Sequence, residues 1–501
     1  MSKEKDYLGK ATNEAGKTFI IKVVSYGVAF ISQIIFTRAL GADLVGLYQI
    51  CMNIIMLSMM ISVLGMDSSN IKFISQFYSK KDYSKVKSYF YYSIKMTMIL
   101  SIICSITLLV FRDKISLNIF NDGRINKVLP VFCLILIMYA LIEVIGGYSR
   151  GIKRSSDYFL SQEFINKFVK IIVFILLYLF GVKFIGLVIG TILGFACSLI
   201  YLLYKVKKAT PELFDNKIEK TDINYKEYWK YSISMSTVYF TNYLMVYVNS
   251  TIIGIFLNSE NVGVYSNAQT LASFIIFIYV SFNSIFVSMV SELWASGKVK
   301  VLRVLYIDIT RIILVLSIPL VVIMIYYSDT ILGIFGEEFK RGSSAFIILI
   351  IGQLFNIIVG PNESLLSMSG NQRYSMINGI MIAMLNIILN IVLIPIYGIV
   401  GSAMAGAVAI IVVNIIKTIQ VKKQLNILPY DRSIIKVVFV TFIIVIFVGI
   451  CKIFVKNNIF TLAIIGVITY ITSLVTYYFL GLSEGEINII KSFNKKFKRK
   501  Y

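Results

Sequence analysis

Polar side chains interrupt the first long apolar run of the chain at helical spacing. Lys22, Tyr26 and Gln33 lie at i, i+4 and i+11, which places them within about 40° of one face of an α-helix. Arg38 follows at the end of the same run. Polar groups are costly in hydrocarbon, so these four are candidates for binding a polar cargo. Two structural roles stay open: Lys22 could reach the membrane interface, and Arg38 could stabilise the carboxyl end of the helix.

A second polar stripe occupies a later apolar run. Tyr239, Tyr243 and Tyr247 lie at i, i+4 and i+8, with Asn242 and Asn249 beside them. Tyrosine rings and hydroxyls suit sugar rings, and ordinary helix packing with amide hydrogen bonds is the alternative. Further candidates within apolar runs are Gln49, Asn53, Glu143, Asn267 and Gln269. For each of these taken alone, a structural role is favoured.

Several chemistries are excluded by what the sequence lacks. Histidine is absent, and the five cysteines lie in apolar runs without a C-x-x-C pair. We therefore expect no histidine-based acid–base chemistry, no metal site, no disulfide and no cofactor. The stretch "ATNEAGKT" ends like a phosphate-binding loop, but Ala11 stands where that motif needs glycine. ATP hydrolysis is not expected.

The elements that carry these residues are long apolar segments. Of the 501 residues, 57% are hydrophobic and 15% are charged. Such a chain is an all-α polytopic membrane protein with about 14 transmembrane helices. The expected spans are 18–38, 44–64, 89–111, 129–149, 164–181, 184–204, 230–253, 268–290, 304–327, 344–367, 374–395, 399–419, 434–455 and 459–480.

Basic residues are distributed unequally between the two sides. About 38 of the 49 lysines and arginines fall on one side of the predicted topology, which the positive-inside rule makes cytoplasmic. The prediction is a multi-pass protein of the plasma membrane with both termini in the cytoplasm. Topology alone accounts for most of the net charge of +23, so no nucleic-acid partner is expected.

Two short motifs repeat, "GADLVGLYQ" from Gly41 and "NSENVGVYS" from Asn258, 217 positions apart. Both fall in predicted outer turns, after spans 1 and 7. An even number of spans separates them, so the halves should be six-helix lobes in parallel orientation. The predicted divisions are an N-terminal lobe at 1–204, a cytoplasmic linker at 205–229, a C-terminal lobe at 230–421, and two extra helices with a basic tail at 422–501.

The stretches "FTRALGADLVGLYQI", "LGMDSSNIKFISQFYSKKDYSKVKSYF" and "LLSMSGNQRYSMINGIMIAMLNIILNIVLIPIYGIVGSAMAG" resemble the polysaccharide transporter (O-antigen-type flippase) family of the multidrug/oligosaccharidyl-lipid/polysaccharide exporter superfamily. The resemblance implies a flippase, not an enzyme, that moves undecaprenyl-diphosphate-linked oligosaccharide from the cytoplasmic to the outer leaflet for cell-surface polysaccharide synthesis. It implies membrane lipids, a polysaccharide polymerase and glycosyltransferases as partners.

In such a flippase, Lys22 and Arg38 would attract the diphosphate, and the tyrosines of the second stripe would face sugar rings. Three alternatives remain open. They are a lipid II or sporulation-type peptidoglycan-precursor flippase, a small-molecule or drug exporter of the same superfamily, and a membrane glycosyltransferase or polymerase. The last is disfavoured because the outer loops are short.

Overall fold

Helices make up almost all the regular structure of the chain. The computed structural model describes residues 2–455, 458–482 and 486. Within these residues it has seventeen α-helices, two short π-helical segments, two 3₁₀ segments and no strand. The prediction of an all-α fold is confirmed.

Packing divides the chain into two compact units, residues 1–263 and 264–501. The first unit contains α1 (Ser2–Val63), α2 (Met66–Ser79), α3 (Tyr83–Val110), α4 (Gly123–Gly151), α5 (Ser155–Phe159), α6 (Asn166–Leu179), α7 (Phe184–Ala209), α8 (Tyr225–Phe256) and the start of α9 (Ser259–Ser273). The second contains the rest of α9, α10 (Ile276–Ala295), α11 (Val299–Tyr326), α12 (Ser328–Gly333), α13 (Ser343–Ile358), α14 (Asn362–Met368), α15 (Gln372–Leu425), α16 (Ile434–Phe454) and α17 (Ile459–Phe479).

Two glycines break the longest helices where the sequence predicts turns between spans. Gly41, with φ of 77°, separates the halves of α1 that correspond to predicted spans 1 and 2. Gly398, with φ of 60°, separates the halves of α15 that correspond to spans 11 and 12. Glycine adopts positive φ without a side-chain clash, so the chain turns sharply at these two points.

The membrane-spanning character of the chain is confirmed by helix length and composition. Within the described ranges, nine helices are long and apolar enough to cross a membrane, or ten if the pair Ser259–Ser273 and Ile276–Asn283, bent by 42°, forms one span. Predicted span 5 is instead built from a π-helical segment, Leu160–Ile165, and the 14-residue α6. The count of fourteen spans therefore stays a prediction.

Helix α8, predicted to open the C-terminal lobe, packs against α1 and α2 within the first unit. The packing boundary falls after Gly263 rather than in the predicted linker. The assignment of spans to lobes at 1–204 and 230–421 stays a prediction.

Candidate functional site

A cavity of about 270 Å³ lies within the first unit. It is lined by the second half of α1, the start of α2, the middle of α4 and the middle of α8. The lining residues are Met56, Met59, Met60, Val63, Gly65, Asp67, Tyr139, Glu143, Ser236, Tyr239, Tyr243, Val246 and Tyr247. The wall contributed by α1 is apolar, and the polar groups come from α2, α4 and α8.

Two glycines allow the start of α2 to approach both α4 and α8. A Cβ atom on Gly65 would lie 2.3 Å from the carbonyl oxygen of Ser232 in α8. A Cβ atom on Gly147 of α4 would lie 2.3 Å from the carbonyl oxygen of Asp67. Neither distance leaves room for a side chain, so these contacts depend on glycine. Together they place Asp67 at the cavity wall.

The tyrosines of the second predicted stripe lie together at this cavity. Tyr239, Tyr243 and Tyr247 line it from α8, and Tyr139 lines it from α4. The rings of Tyr243 and Tyr247 have centroids 5.1 Å apart. The Tyr243 hydroxyl donates to the backbone carbonyl of Asn53 at 2.9 Å. With its hydroxyl held this way, the Tyr243 ring has a fixed orientation at the wall.

Two carboxylates and one guanidinium form a linked group beside the tyrosines. The Asp67 side chain is only 6% exposed. Its Oδ2 accepts from the Tyr239 hydroxyl at 2.9 Å and from Arg150 Nη2 at 3.2 Å. The Arg150 guanidinium also lies 4.6 Å from the centroid of the Tyr158 ring. The Tyr158 hydroxyl donates to both oxygens of Glu143, at 2.9 and 3.0 Å.

Sequence reasoning singled out Glu143 but missed Asp67 and Arg150 as site residues. Arg150 stood among the basic residues used for topology, and Asp67 stood inside the quoted motif "LGMDSSNIKF". The available signal was the run Asp67–Ser68–Ser69–Asn70 directly after a predicted span. The structure places these four residues in the first turns of α2, where all four are buried.

The predicted candidates Asn53 and Asn249 lie outside the cavity lining. The Asn53 amide donates to the Ser250 hydroxyl at 2.8 Å and accepts from Gln49 at 2.9 Å. Asn53 therefore links α1 to α8 outside the cavity, through a hydrogen bond between packed helices. Asn249 is also buried. The side chain of Asn242 falls outside the described part of the structure.

The first predicted stripe does not reach this cavity. Lys22 is exposed, and its ammonium lies 4.2 Å from the centroid of the Phe159 ring. Tyr26 is 51% exposed, Arg38 is exposed, and Gln33 is partly exposed. These residues belong to the first half of α1, whereas the cavity wall uses the second half. Asn267, fully buried in α9, belongs to the second unit.

Comparison with protein families finds two matching models. The model described as polysaccharide biosynthesis protein matches residues 12–294. A second model, described as MatE, matches residues 234–392.

Individual relatives cover most of the chain at low identity. An uncharacterised membrane protein of Methanocaldococcus jannaschii is 21% identical over 88% of this chain and 90% of its own length. Stage V sporulation protein B of Bacillus subtilis is 21% identical over 81% of this chain and 82% of its own.

Solved structures share the fold. The structure titled lipid II flippase MurJ, inward closed conformation, aligns with a TM-score of 0.72 and 16% identity, over 92% of this chain and 99% of that one. An inward-facing multidrug resistance MATE family transporter aligns with a TM-score of 0.66 and 14% identity, over 80% and 94%.

Proposed function

Since the chain belongs to the polysaccharide biosynthesis protein family, within the multidrug/oligosaccharidyl-lipid/polysaccharide exporter superfamily of membrane transporters, we propose that it flips an undecaprenyl-diphosphate-linked oligosaccharide. The cargo moves from the cytoplasmic to the outer leaflet, where polysaccharide synthesis continues. Its diphosphate cannot cross bare hydrocarbon, because an unpaired buried ion costs tens of kcal/mol in the limiting case. The chain acts as a transporter and not as a catalyst.

The observation that carries this proposal is the tyrosine-lined cavity. Four tyrosine rings face a space bounded by helices of a membrane protein. Sugar rings present apolar C–H faces to such rings and hydroxyl groups to the neighbouring polar atoms. An oligosaccharide head enters this space while its polyprenyl tail remains in the lipid. In this role the tyrosines set the preference for cargo.

A second candidate is a flippase for a peptidoglycan precursor such as lipid II. It is favoured by the relationship to a stage V sporulation protein and by the fold shared with a lipid II flippase. The two candidate cargoes both contain a polyprenyl diphosphate, and they differ in the attached glycan. The cavity contacts to the glycan therefore decide between them.

The test is a flipping assay with the purified full-length chain in proteoliposomes. The probes are a fluorescent undecaprenyl-diphosphate oligosaccharide, fluorescent lipid II and a fluorescent cationic drug, each offered alone. We expect transport of the first probe, and Tyr243→Ala should slow it about 2- to 13-fold, because a lost ring contact is worth about 0.5–1.5 kcal/mol. Tyr204→Ala is the matched control, since Tyr204 is 58% exposed on α7, away from the cavity.

Two results separate the candidates, and a third tests the role of the cavity. If lipid II is the only probe transported, the protein is a peptidoglycan-precursor flippase. If the drug is the only probe transported, it is a drug exporter. Equal slowing of transport by Tyr243→Ala and Tyr204→Ala would show that the cargo does not pass through the cavity.

A further inference from the structure

A polar seam runs between the first half of α1 and the segment that leads from α5 into α6. At its predicted cytoplasmic end, the Lys22 ammonium lies 4.2 Å from the centroid of the Phe159 ring. Further along, the rings of Phe36 and Phe174 have centroids 4.9 Å apart. Lys22 precedes Phe36 by 14 residues, about 21 Å along a helix. Phe159 precedes Phe174 by 15 residues, about 22 Å. The two segments therefore run side by side in the same direction.

The first predicted stripe faces this seam. Tyr26 and Gln33 lie within about 80° of Phe36 around the helix axis, as does Lys22, and Phe36 and Lys22 both contact the neighbouring segment. The opposite side of α1 carries exposed apolar side chains, which are Ile20, Val24 and Ile31. The first half of α1 therefore turns its polar face toward α6 and its apolar face away from it.

The neighbouring segment turns charged side chains toward the seam. Lys167 and Lys170 lie within about 40° of Phe174 around the axis of α6. Glu163, on the π-helical segment before α6, pairs with Lys167 at 2.6 Å. The side chains of Lys167 and Glu163 are 27% and 35% exposed, so the seam is an open groove. π-helical turns within helices are frequent at functional sites.

Lys170 is the surplus cation of the seam. Its ammonium lies 5.3 Å from the centroid of the Phe36 ring and 5.6 Å from that of Tyr48. Within the part of the chain that the structure describes, it forms no salt bridge and donates no hydrogen bond. Aromatic faces attract a cation, but they leave the three N–H donors of an ammonium group without oxygen acceptors.

The depth of Lys170 makes this lack of an anion costly. Lys170 lies nine residues before Leu179, the last residue of α6, and therefore about 14 Å below the predicted outer end of the helix. A cation at such depth in a membrane is expensive and typically marks a path for substrate or ions. An anion that enters the groove would supply the missing acceptors.

We propose that the diphosphate of the cargo moves along this seam and binds Lys170 midway across the membrane. The assignment rests on the proposed function and adds a phosphate-binding residue to it. Phosphate oxygens accept charge-assisted hydrogen bonds from ammonium groups, and Lys22 and Lys170 offer such donors in succession. The head group of a resident phospholipid lies at the membrane interface, so the depth of Lys170 favours a phosphate in transit.

The test is equilibrium binding of radiolabelled undecaprenyl diphosphate, without glycan, to the purified full-length chain in detergent. We expect Lys170→Gln to weaken binding about 10-fold or more, because a charge-assisted hydrogen bond is lost. Lys170→Arg keeps a cation and should bind nearly as tightly as the unsubstituted protein. Lys95→Gln is the matched control, since Lys95 is an exposed lysine within α3 and should leave binding unchanged.

A second pair of variants tests the groove without changing its charge. Gln33→Trp fills the seam and should weaken binding of the same probe. Ile31→Trp is the control on the same helix, since Ile31 is 55% exposed on the opposite side. The thermal unfolding midpoint identifies any variant that does not fold, and this pair still decides if Lys170→Gln is such a variant.

Unchanged binding by folded Lys170→Gln or by folded Gln33→Trp would overturn the proposal. Displacement of the probe by an equal concentration of phosphatidylglycerol would assign the site to a phospholipid head group instead. In the flipping assay, Lys170→Gln should slow transport of the oligosaccharide probe. If no probe is flipped but undecaprenyl diphosphate binds through Lys170, the proposed transport is wrong and the phosphate site stands. If Lys170→Gln flips the oligosaccharide at the unsubstituted rate, the seam is wrong and the proposed function stands.

Discussion

Gly46 of α1 and Gly263 of α9 pack backbone against backbone. A Cβ atom on Gly46 would lie 2.8 Å from the amide nitrogen of Gly263, and one on Gly263 would lie 3.1 Å from the amide nitrogen of Gly46. The same atoms would lie 1.6 Å from the carbonyl oxygen of Ser259 and 2.0 Å from that of Ala42, respectively. The two glycines hold equivalent positions in the repeated motifs, 217 residues apart, as do Ala42 and Ser259. A local two-fold axis between the motifs produces such a reciprocal contact.

Substitution of Gly46 tests this contact. Gly46→Ala should destabilise the protein, because overpacking of a close contact typically costs about 1–3 kcal/mol. The measurement is the thermal unfolding midpoint of the purified protein in detergent. Gly27→Ala is the matched control on the same helix, since a Cβ atom there meets nothing within 4 Å and alanine favours a helix by about 1 kcal/mol. If the unfolding midpoint of Gly46→Ala equals or exceeds that of the unsubstituted protein, the two backbones can separate freely.

The predicted topology places Asp43 and Glu260 on the outer side and both termini in the cytoplasm. Single cysteines at positions 43 and 260, in a background without the five native cysteines, should react with an impermeant maleimide added outside intact cells. A cysteine at position 300, in a predicted cytoplasmic loop, should react only after permeabilisation. Labelling of positions 43 and 260 from opposite sides would contradict the parallel orientation of the repeats.

Lys22 and Arg38 remain predicted phosphate-binding residues although they lie away from the cavity. The double substitution Lys22→Ala with Arg38→Ala should abolish export of the lipid-linked oligosaccharide, because both donors to the diphosphate are lost. The measurement is surface polysaccharide at matched protein levels. Lys300→Ala, on an exposed lysine at the start of α11, is the control. Normal export by the double variant would refute the phosphate role of both residues.

A buried arginine in the second unit should be essential for stability. Arg311 of α11 is 5% exposed, pairs closely with Asp308, and lies 3.2 Å from the carboxylate of Glu486. Arg311→Ala removes one cation from beside two buried carboxylates, and breaking a buried ion pair in this way costs about 3–5 kcal/mol. We expect a large fall in the thermal unfolding midpoint in detergent. Arg303→Ala, exposed on the same helix, should leave the midpoint nearly unchanged, and similar midpoints for both variants would contradict the expectation.

Local sequence periodicity determined the helices and one part of the site. Apolar runs predicted the all-α membrane fold, and Gly41 and Gly398 fall where turns between spans were expected. The spacing of Tyr239, Tyr243 and Tyr247 placed them on one face of α8, where they do line the cavity. These features depend on residues within a few helical turns of one another, so the periodicity of the sequence predicts them.

Tertiary packing alone decided which faces meet. Asp67 reaches the cavity because Gly65 and Gly147 let α2 approach α8 and α4. The pairing of Asp67 with Arg150 joins residues 83 positions apart. The stripe of Lys22, Tyr26 and Gln33 also lies on one helix face, yet it is outside the cavity lining. Periodicity fixes the angle between side chains on one helix, whereas the rotation of that helix toward its neighbours is set by contacts far away in sequence.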